Sequence, residues 1–220
     1  MNIAVLGTGT VGQALAGRLH DLGHAVTVGT RDPEQSRART DDGAIGAWLD
    51  AHPDVTLATF ADAAAGADVV VNASSGTAAL DVLTLAGAAN LAGKPLLDIS
   101  NPLDFSAGFP PTLSVKDTDS LAEQIQRAFP QAQVVKWLNT LTAALMVDPA
   151  ALGASSTVFV SGDHAGAKAV AVGLLESFGW DDVIDLGALE TARGAEMWLP
   201  LWLRLMGSLG TAQFNLKIVR

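Results

Sequence analysis

The chain has no cysteine among its 220 residues, which excludes disulfides, thiolate metal sites and cysteine nucleophiles. Basic residues are scarce: 13 Lys and Arg stand against 23 Asp and Glu, a formal net charge of −10. Nucleic acid and anionic membrane surfaces both call for basic patches, so neither is an expected partner. Long hydrophobic runs are also missing. The longest, Met197 to Leu209, is too short to span a bilayer and is interrupted by Pro200 and Arg204. The opening Met1–Leu6 has no basic flank and stops at Gly7, unlike a secretory signal. Without such a signal, the glycosylation-like tripeptide Asn72-Ala73-Ser74 reads as chance. There is no H-E-x-x-H and no clustered His/Asp set, so no metal is expected, and no G-x-S-x-G elbow points to a hydrolase. What is present is an apolar fraction of 49% with 16% charged residues, enough for a buried core. The expectation is a soluble, cytoplasmic α/β protein.

Apolar runs alternate between short β-rich and longer helical stretches. Strands are predicted at 2–6, 24–28, 55–59, 68–72, 95–99, 134–138, 158–160 and 183–186. Helices are predicted at 11–22, closed by Gly23, and from the capping-box pair Ser120/Glu123 to just before Pro130. Two more run from an Asp163 cap to Phe178, and over 191–209 with a bend at Pro200. This order implies a doubly wound parallel sheet of Rossmann type. Residues 1–155 read as a nucleotide-binding domain, and 156–220 as a small, mainly helical substrate or dimerisation part. The polar segment 31–54, with a buried-looking Trp48, is assigned no single structure.

Gly7-Thr8-Gly9-Thr10-Val11-Gly12 has the G-x-G-x-x-G pattern. Its weight comes from its setting, directly after a strand and opening an amphipathic helix. Gly7 permits the tight turn, Gly9 lets the backbone approach a pyrophosphate, and Gly12 allows close helix–strand packing. The helix N-terminus offers unpaired N–H groups to the anion. At the end of the second strand, Thr30 stands where an NAD-binding chain usually has an acid, and Arg31 follows. A hydroxyl beside a guanidinium suits a 2′-phosphate, so NADP is expected over NAD. Asp32 is read as starting the next turn with Pro33. Ser36, Arg37 and Arg39 could add contacts or simply form a solvated basic segment.

Ligands of open α/β sheets lie beyond the carboxyl ends of the strands. There the chain has Asn72-Ala73-Ser74-Ser75-Gly76, Asp98-Ile99-Ser100-Asn101-Pro102 and Leu138-Asn139-Thr140. Ala73 and Ser74 are small enough to let a nicotinamide lie against backbone. Asn101 and Asn139 could orient a carboxamide or a carbonyl, or could satisfy turn backbone. Asp98 and Asp104 are read as turn caps. None of His20, His24, His52 and His164 falls at a carboxyl strand end, so no proton-transfer set is predicted. Hydride transfer between stacked rings needs proximity and orientation more than acid–base groups. In the C-terminal run, helical spacing places Trp198, Leu201, Trp202 and Leu205 on one face, as core, as a dimer interface or with one Trp in a substrate pocket. The tail 214–219 could cover the cleft or add a strand.

These motifs, with Lys136-Trp137-Leu138-Asn139-Thr140, Val160-Ser161-Gly162-Asp163 and Leu199-Pro200-Leu201, resemble F420-dependent NADP reductases. They are also similar to the cytosolic NADPH-binding domains of six-transmembrane ferric reductases. The resemblance implies that Thr8, Gly9, Thr10, Val11, Thr30 and Arg31 bind NADP(H). It places Ala73 and Ser74 by the nicotinamide, and Asn139 and Thr140 at the ring-stacking site. The second substrate would be coenzyme F420 or a flavin, and the assembly a homodimer. A site for the phosphodiester and glutamate tail of F420 should be basic, and the chain has only the scattered Lys116, Lys136, Arg193 and Arg204. Two other readings stay open: a reductase of an imine, keto acid or ferric chelate on the same fold, and an NADPH-binding module without catalysis.

Overall fold

The computed structural model describes residues 1–220. The chain begins with β1 (Asn2–Leu6), α1 (Thr10–Asp21), β2 (Ala25–Thr30), α2 (Pro33–Ala38), α3 (Ile45–Ala51), β3 (Thr56–Thr59) and α4 (Phe60–Ala65). Next come β4 (Val69–Asn72), α5 (Ala79–Ala86), α6 (Ala88–Leu91), β5 (Pro95–Asp98), a small hairpin of β6 (Leu103–Asp104) and β7 (Thr112–Leu113), and α7 (Leu121–Ala128). It ends with β8 (Gln133–Trp137), α8 (Ala143–Val147), β9 (Val158–Gly162), α9 (Ala165–Phe178), β10 (Val183–Asp185), α10 (Ala192–Met197) and α11 (Leu199–Leu209).

Eight strands form one sheet in the order β10-β9-β8-β5-β4-β1-β2-β3. The expected parallel order holds for every neighbouring pair except β8–β9, which is antiparallel. The reason is local. Residues 138–157 stay at one end of the sheet instead of crossing back over it, so β9 must run the other way. β9 and β10 extend the same sheet, so the expected boundary at 155 falls within a continuous structure.

Period-two alternation distributes the strand side chains to two cores. Ile3, Val5, Val69, Val71, Leu97, Val135 and Trp137 face one layer with α1, α8 and α9. Ala4, Leu6, Val70, Leu96 and Val134 face the other, with α4, α5 and α7. Each fully buried Leu, Ile or Val contributes about 1.5–3 kcal/mol. In α1 the i, i+4 pair Leu15 and Leu19 is fully buried. Gly23, at φ 82, ends that helix by donating to His20.

Some local expectations are corrected. Asp163 does not cap α9; its carboxylate accepts from the Leu189 N–H at 2.9 Å, and His164 stands at the N-cap of α9 with no side-chain cap bond. Segment 31–54 is structured, because Asp32 caps α2 by accepting from Gln35 N–H. Trp48 is half-buried and stacks on His52 at 4.0 Å. The final helical run is divided at Trp198, which keeps helical φ and ψ, just before Pro200, whose missing N–H interrupts the hydrogen-bond ladder. Leu199 and Leu203 are the buried pair and Leu201 is 50% exposed. The tail adds no strand. It lies beside 155–157, with Thr157 N–H donating to Leu216 O, and Lys217 and Arg220 pairing with Asp182.

Candidate active site

The chain leaves β1 for one side of the sheet and returns at β4 on the other, so β1 and β4 flank the switch point. The Gly7–Gly12 loop sits there. Gly7 has φ 133, and a Cβ on it would stand 2.6 Å from the Ala73 carbonyl oxygen. A Cβ on Gly12 would run into the Gly7 carbonyl oxygen. Packing thus demands both glycines. At Gly9, by contrast, a Cβ would meet nothing within 4 Å. Protein packing does not require that glycine, and the space beside it is open. Helix α1 starts at Thr10 with no side-chain cap and no acid in its first turn. Its first N–H groups therefore face that space with their positive dipole end. Gln13 braces the loop by donating to Thr8 O at 2.8 Å and Gly43 O at 2.7 Å. The site's open cradle and donor set fit a pyrophosphate.

At the end of β2, Thr30 and Ser36 join their hydroxyls at 2.7 Å. Arg31 is exposed, while Arg37 and Arg39 are taken up by Asp50 and Asp41. Asp32 is turned back on its own helix. The free cation beside two hydroxyls fits a phosphate monoester better than a bare ribose hydroxyl pair.

A cleft of about 420 Å3 continues from this loop across the strand ends. It is lined by Val11, Ala73, Ser74, Asn101 and Asn139 among the expected residues, and by Leu141, Met146, Leu199 and Trp202. No His, Lys, Arg, Asp or Glu lines it. Trp202 is therefore a cleft residue, steadied by Phe214 stacked at 5.4 Å. Gly7, Thr8, Gly9, Thr10, Gly12, Thr30, Arg31 and Ser36 lie outside this compartment, on the loop and β2 side. Thr140 is buried and does not reach the cleft. Asn139 follows Leu138, which adopts a left-handed φ of 52. Its amide donates to Asn101 Oδ1 at 2.9 Å and to Ala195 O at 3.1 Å, while Asn101 donates back to Asn139 O at 3.0 Å. Both amides are thus engaged in fixing the cleft wall.

Beneath the cleft lies a cluster that sequence reading missed. Asn72, Asp98 and Lys136 are register neighbours on β4, β5 and β8 and face the same side of the sheet. Lys136 pairs with Asp98 at 2.7 Å and with Glu196 of α10 at 2.8 Å, all essentially inaccessible. It also donates to Ser100 O, and Asp98 accepts from Asn72 and Ser100. Burial pushes the Lys136 ammonium down, but the Asp98 and Glu196 carboxylates outweigh it and hold it above its ordinary value. Glu196 also accepts from the Leu121 and Ala122 N–H groups at the start of α7. Arg193 binds Glu123 two-pronged at 2.8 and 2.6 Å, and this hydrogen-bonded guanidinium holds the Glu123 carboxyl below its usual range. Asp98 thus both caps its turn, accepting from the Ser100 N–H at 3.3 Å, and pairs with Lys136 through its other oxygen, and neither Lys136 nor Arg193 is free for a ligand. The available signal was a polar residue at the last in-phase position of three neighbouring strands.

Comparison with known proteins follows the same lines. The family model described as NADP oxidoreductase, coenzyme F420-dependent, matches residues 2–102. The chain is 31% identical to the F420-dependent NADP reductase of Methanothermobacter marburgensis over 209 residues, 93% of this chain and 92% of that protein. It matches a crystal structure from Arthrobacter sp. FB24, assigned by inference as an F420-dependent NADP-reductase, over 100% of both chains with TM-score 0.98 and 62% identity. Rat metalloreductase STEAP3 shares 28% identity over 206 residues, 91% of this chain, and the chain spans 37% of that protein's length. No helix here is long and apolar enough to cross a membrane. A Rossmann-type sheet, its glycine loop and full-length identity above 30% to a named reductase establish that the chain belongs to the coenzyme F420-dependent NADP oxidoreductases, a family of NADP-linked oxidoreductases.

Proposed function

We propose that the protein moves a hydride between NADP(H) and a planar deazaflavin (coenzyme F420) or flavin-like acceptor stacked in the cleft. The carrying observation is that no ionisable side chain lines the cleft. Reduction of a carbonyl or imine calls for a proton donor at the reacting heteroatom. A ring acceptor can exchange its proton with solvent and asks the protein only for alignment. When bound, the nicotinamide supplies the hydride from its C4. The α1 N-terminus and Gly9 hold the pyrophosphate, and Arg31 with Thr30 and Ser36 holds the 2′-phosphate. Ala73 and Ser74 leave room for the nicotinamide. Leu141, Met146, Leu199 and Trp202 supply an apolar face that excludes water and favours a flat ring. Asn139 and Asn101, locked on each other, set the width of the cleft. Thr140 is given no contact with the acceptor.

The test is an anaerobic acceptor panel with NADPH. Loss of reduced-nicotinamide absorbance with F420 or FMN is expected. Turnover confined to imines or keto acids, or tight NADPH binding with no turnover of any acceptor, would overturn the reading.

A further inference from the structure

Of the thirteen lysines and arginines, only Arg31, Lys116 and Arg204 make neither an ion pair nor a hydrogen bond with the protein. The others are engaged by carboxylates or by main-chain carbonyls. Arg31 already has an assignment. Lys116 and Arg204 come from distant parts of the sequence, yet they line one groove of about 380 Å3 together with Pro110, Leu113, Met197 and Pro200. No acid lines that groove. In a chain of net charge −10, two unpaired cations lining one groove without an acid in its lining are a local exception that favours an anion. Like charges lining one groove repel each other, and an anion bound between them turns that repulsion into attraction.

The groove shares two walls with the cleft. Leu103 of β6 lines the cleft, and its ladder partner Leu113 of β7 lines the groove. On α11, Leu199 and Trp202 face the cleft while Pro200 and Arg204 face the groove. A ring lying against Trp202 can therefore send a flexible substituent past the edge of α11 into the groove.

We propose that Lys116 and Arg204 form a subsite for the phosphoester-bearing anionic tail of the ring acceptor. This inference rests on the acceptor reading above. Arg204 offers a planar fork to a phosphate or carboxylate, and Lys116 a point charge. The apolar lining between them accommodates the tail's carbon chain. The phosphodiester and glutamate carboxylates of F420 and the phosphate of FMN share this chemistry, so the assay compares both with their tail-less rings.

Equilibrium binding, followed by quenching of ring fluorescence without nicotinamide, would compare F420 with the same deazaflavin lacking its phosphodiester tail, and FMN with riboflavin. Hydrogen bonds to charged groups are worth about 1.5–3 kcal/mol each. The Lys116→Gln/Arg204→Gln double variant should thus bind F420 at least about tenfold more weakly, with little change for the tail-less ring. Arg204→Lys should recover part of the loss, and added salt should weaken F420 alone. A comparable loss for FMN but not riboflavin would extend the subsite to a flavin phosphate; a loss for F420 only would assign it to the longer tail. If the double variant binds F420 as the wild type does, or weakens both members of each pair equally, the subsite is refuted while the acceptor reading stands. If the wild type binds neither deazaflavin nor flavin, the acceptor reading falls and takes the subsite with it.

Discussion

Gly9 and Gly12 sit three residues apart and answer to different demands. The open space beside Gly9 belongs to the ligand, whereas Gly12 is confined by the Gly7 carbonyl. Gly9→Val should therefore abolish NADPH binding by blocking the pyrophosphate while leaving the thermal midpoint nearly unchanged. Gly12→Val should lower the midpoint itself. Calorimetric titration and thermal unfolding of both variants check this, and a folded Gly9→Val protein with unaltered NADPH affinity would contradict the loop's assignment. Arg31→Ala removes the one free cation at the β2 end. It should weaken NADPH about 10- to 100-fold, as loss of charge-assisted bonds implies, and leave NADH nearly unaffected. An equal loss for the two nucleotides would mean that Arg31 does not read the 2′-phosphate.

At the scale of elements, α10 is held on the sheet by charge. Lys136 of β8 stands between Asp98 of β5 and Glu196 of α10, and Glu196 in turn caps α7. Lys136→Met would leave two buried carboxylates facing each other without a cation. It should cost about 3–5 kcal/mol, the usual effect of removing one partner from a buried pair, read from denaturant midpoints. Adding Asp98→Asn to it should recover part of the loss, and no recovery would count against this charge accounting. The strands and the glycine loop were legible in the sequence because period-two runs and G-x-G-x-x-G are local signals. The cluster was not. Lys136 reads as one polar residue in a strand, and its meaning depends on β5 and α10 arriving beside it. The C-terminal face was misread for a related reason. Helical spacing puts Leu201 with Trp202, but the side of α11 that packs against the rest of the protein carries Leu199 and Leu203. The cleft residues Trp202 and Asn139 were visible as candidates, yet only the tertiary arrangement separates Asn139 in the wall from Thr140 behind it.

For the whole molecule, the C-terminal tail closes over the edge of the sheet and steadies the cleft through Phe214 on Trp202. Its anchor is Asp182, whose carboxyl is held far below the ordinary carboxylate range by hydrogen bonds from Lys217, Thr157 and Arg220. A depressed folded-state value means that this contribution is present above the unfolded carboxyl's range and is lost as the pH falls. The wild type should accordingly be more stable than Asp182→Asn at neutral pH, and the gap should narrow on acidification. A gap in denaturant midpoint that stays constant down to acidic pH would contradict the tail's electrostatic attachment.

Direct hydride transfer between two rings aligned in the cleft fixes the fate of the label in NADPH carrying deuterium at both C4 positions. Mass spectrometry of reduced F420 formed anaerobically by the enzyme should find one deuterium retained at carbon. Reduced F420 without deuterium, its label washed into solvent, would contradict direct transfer, as would the absence of any reduced F420.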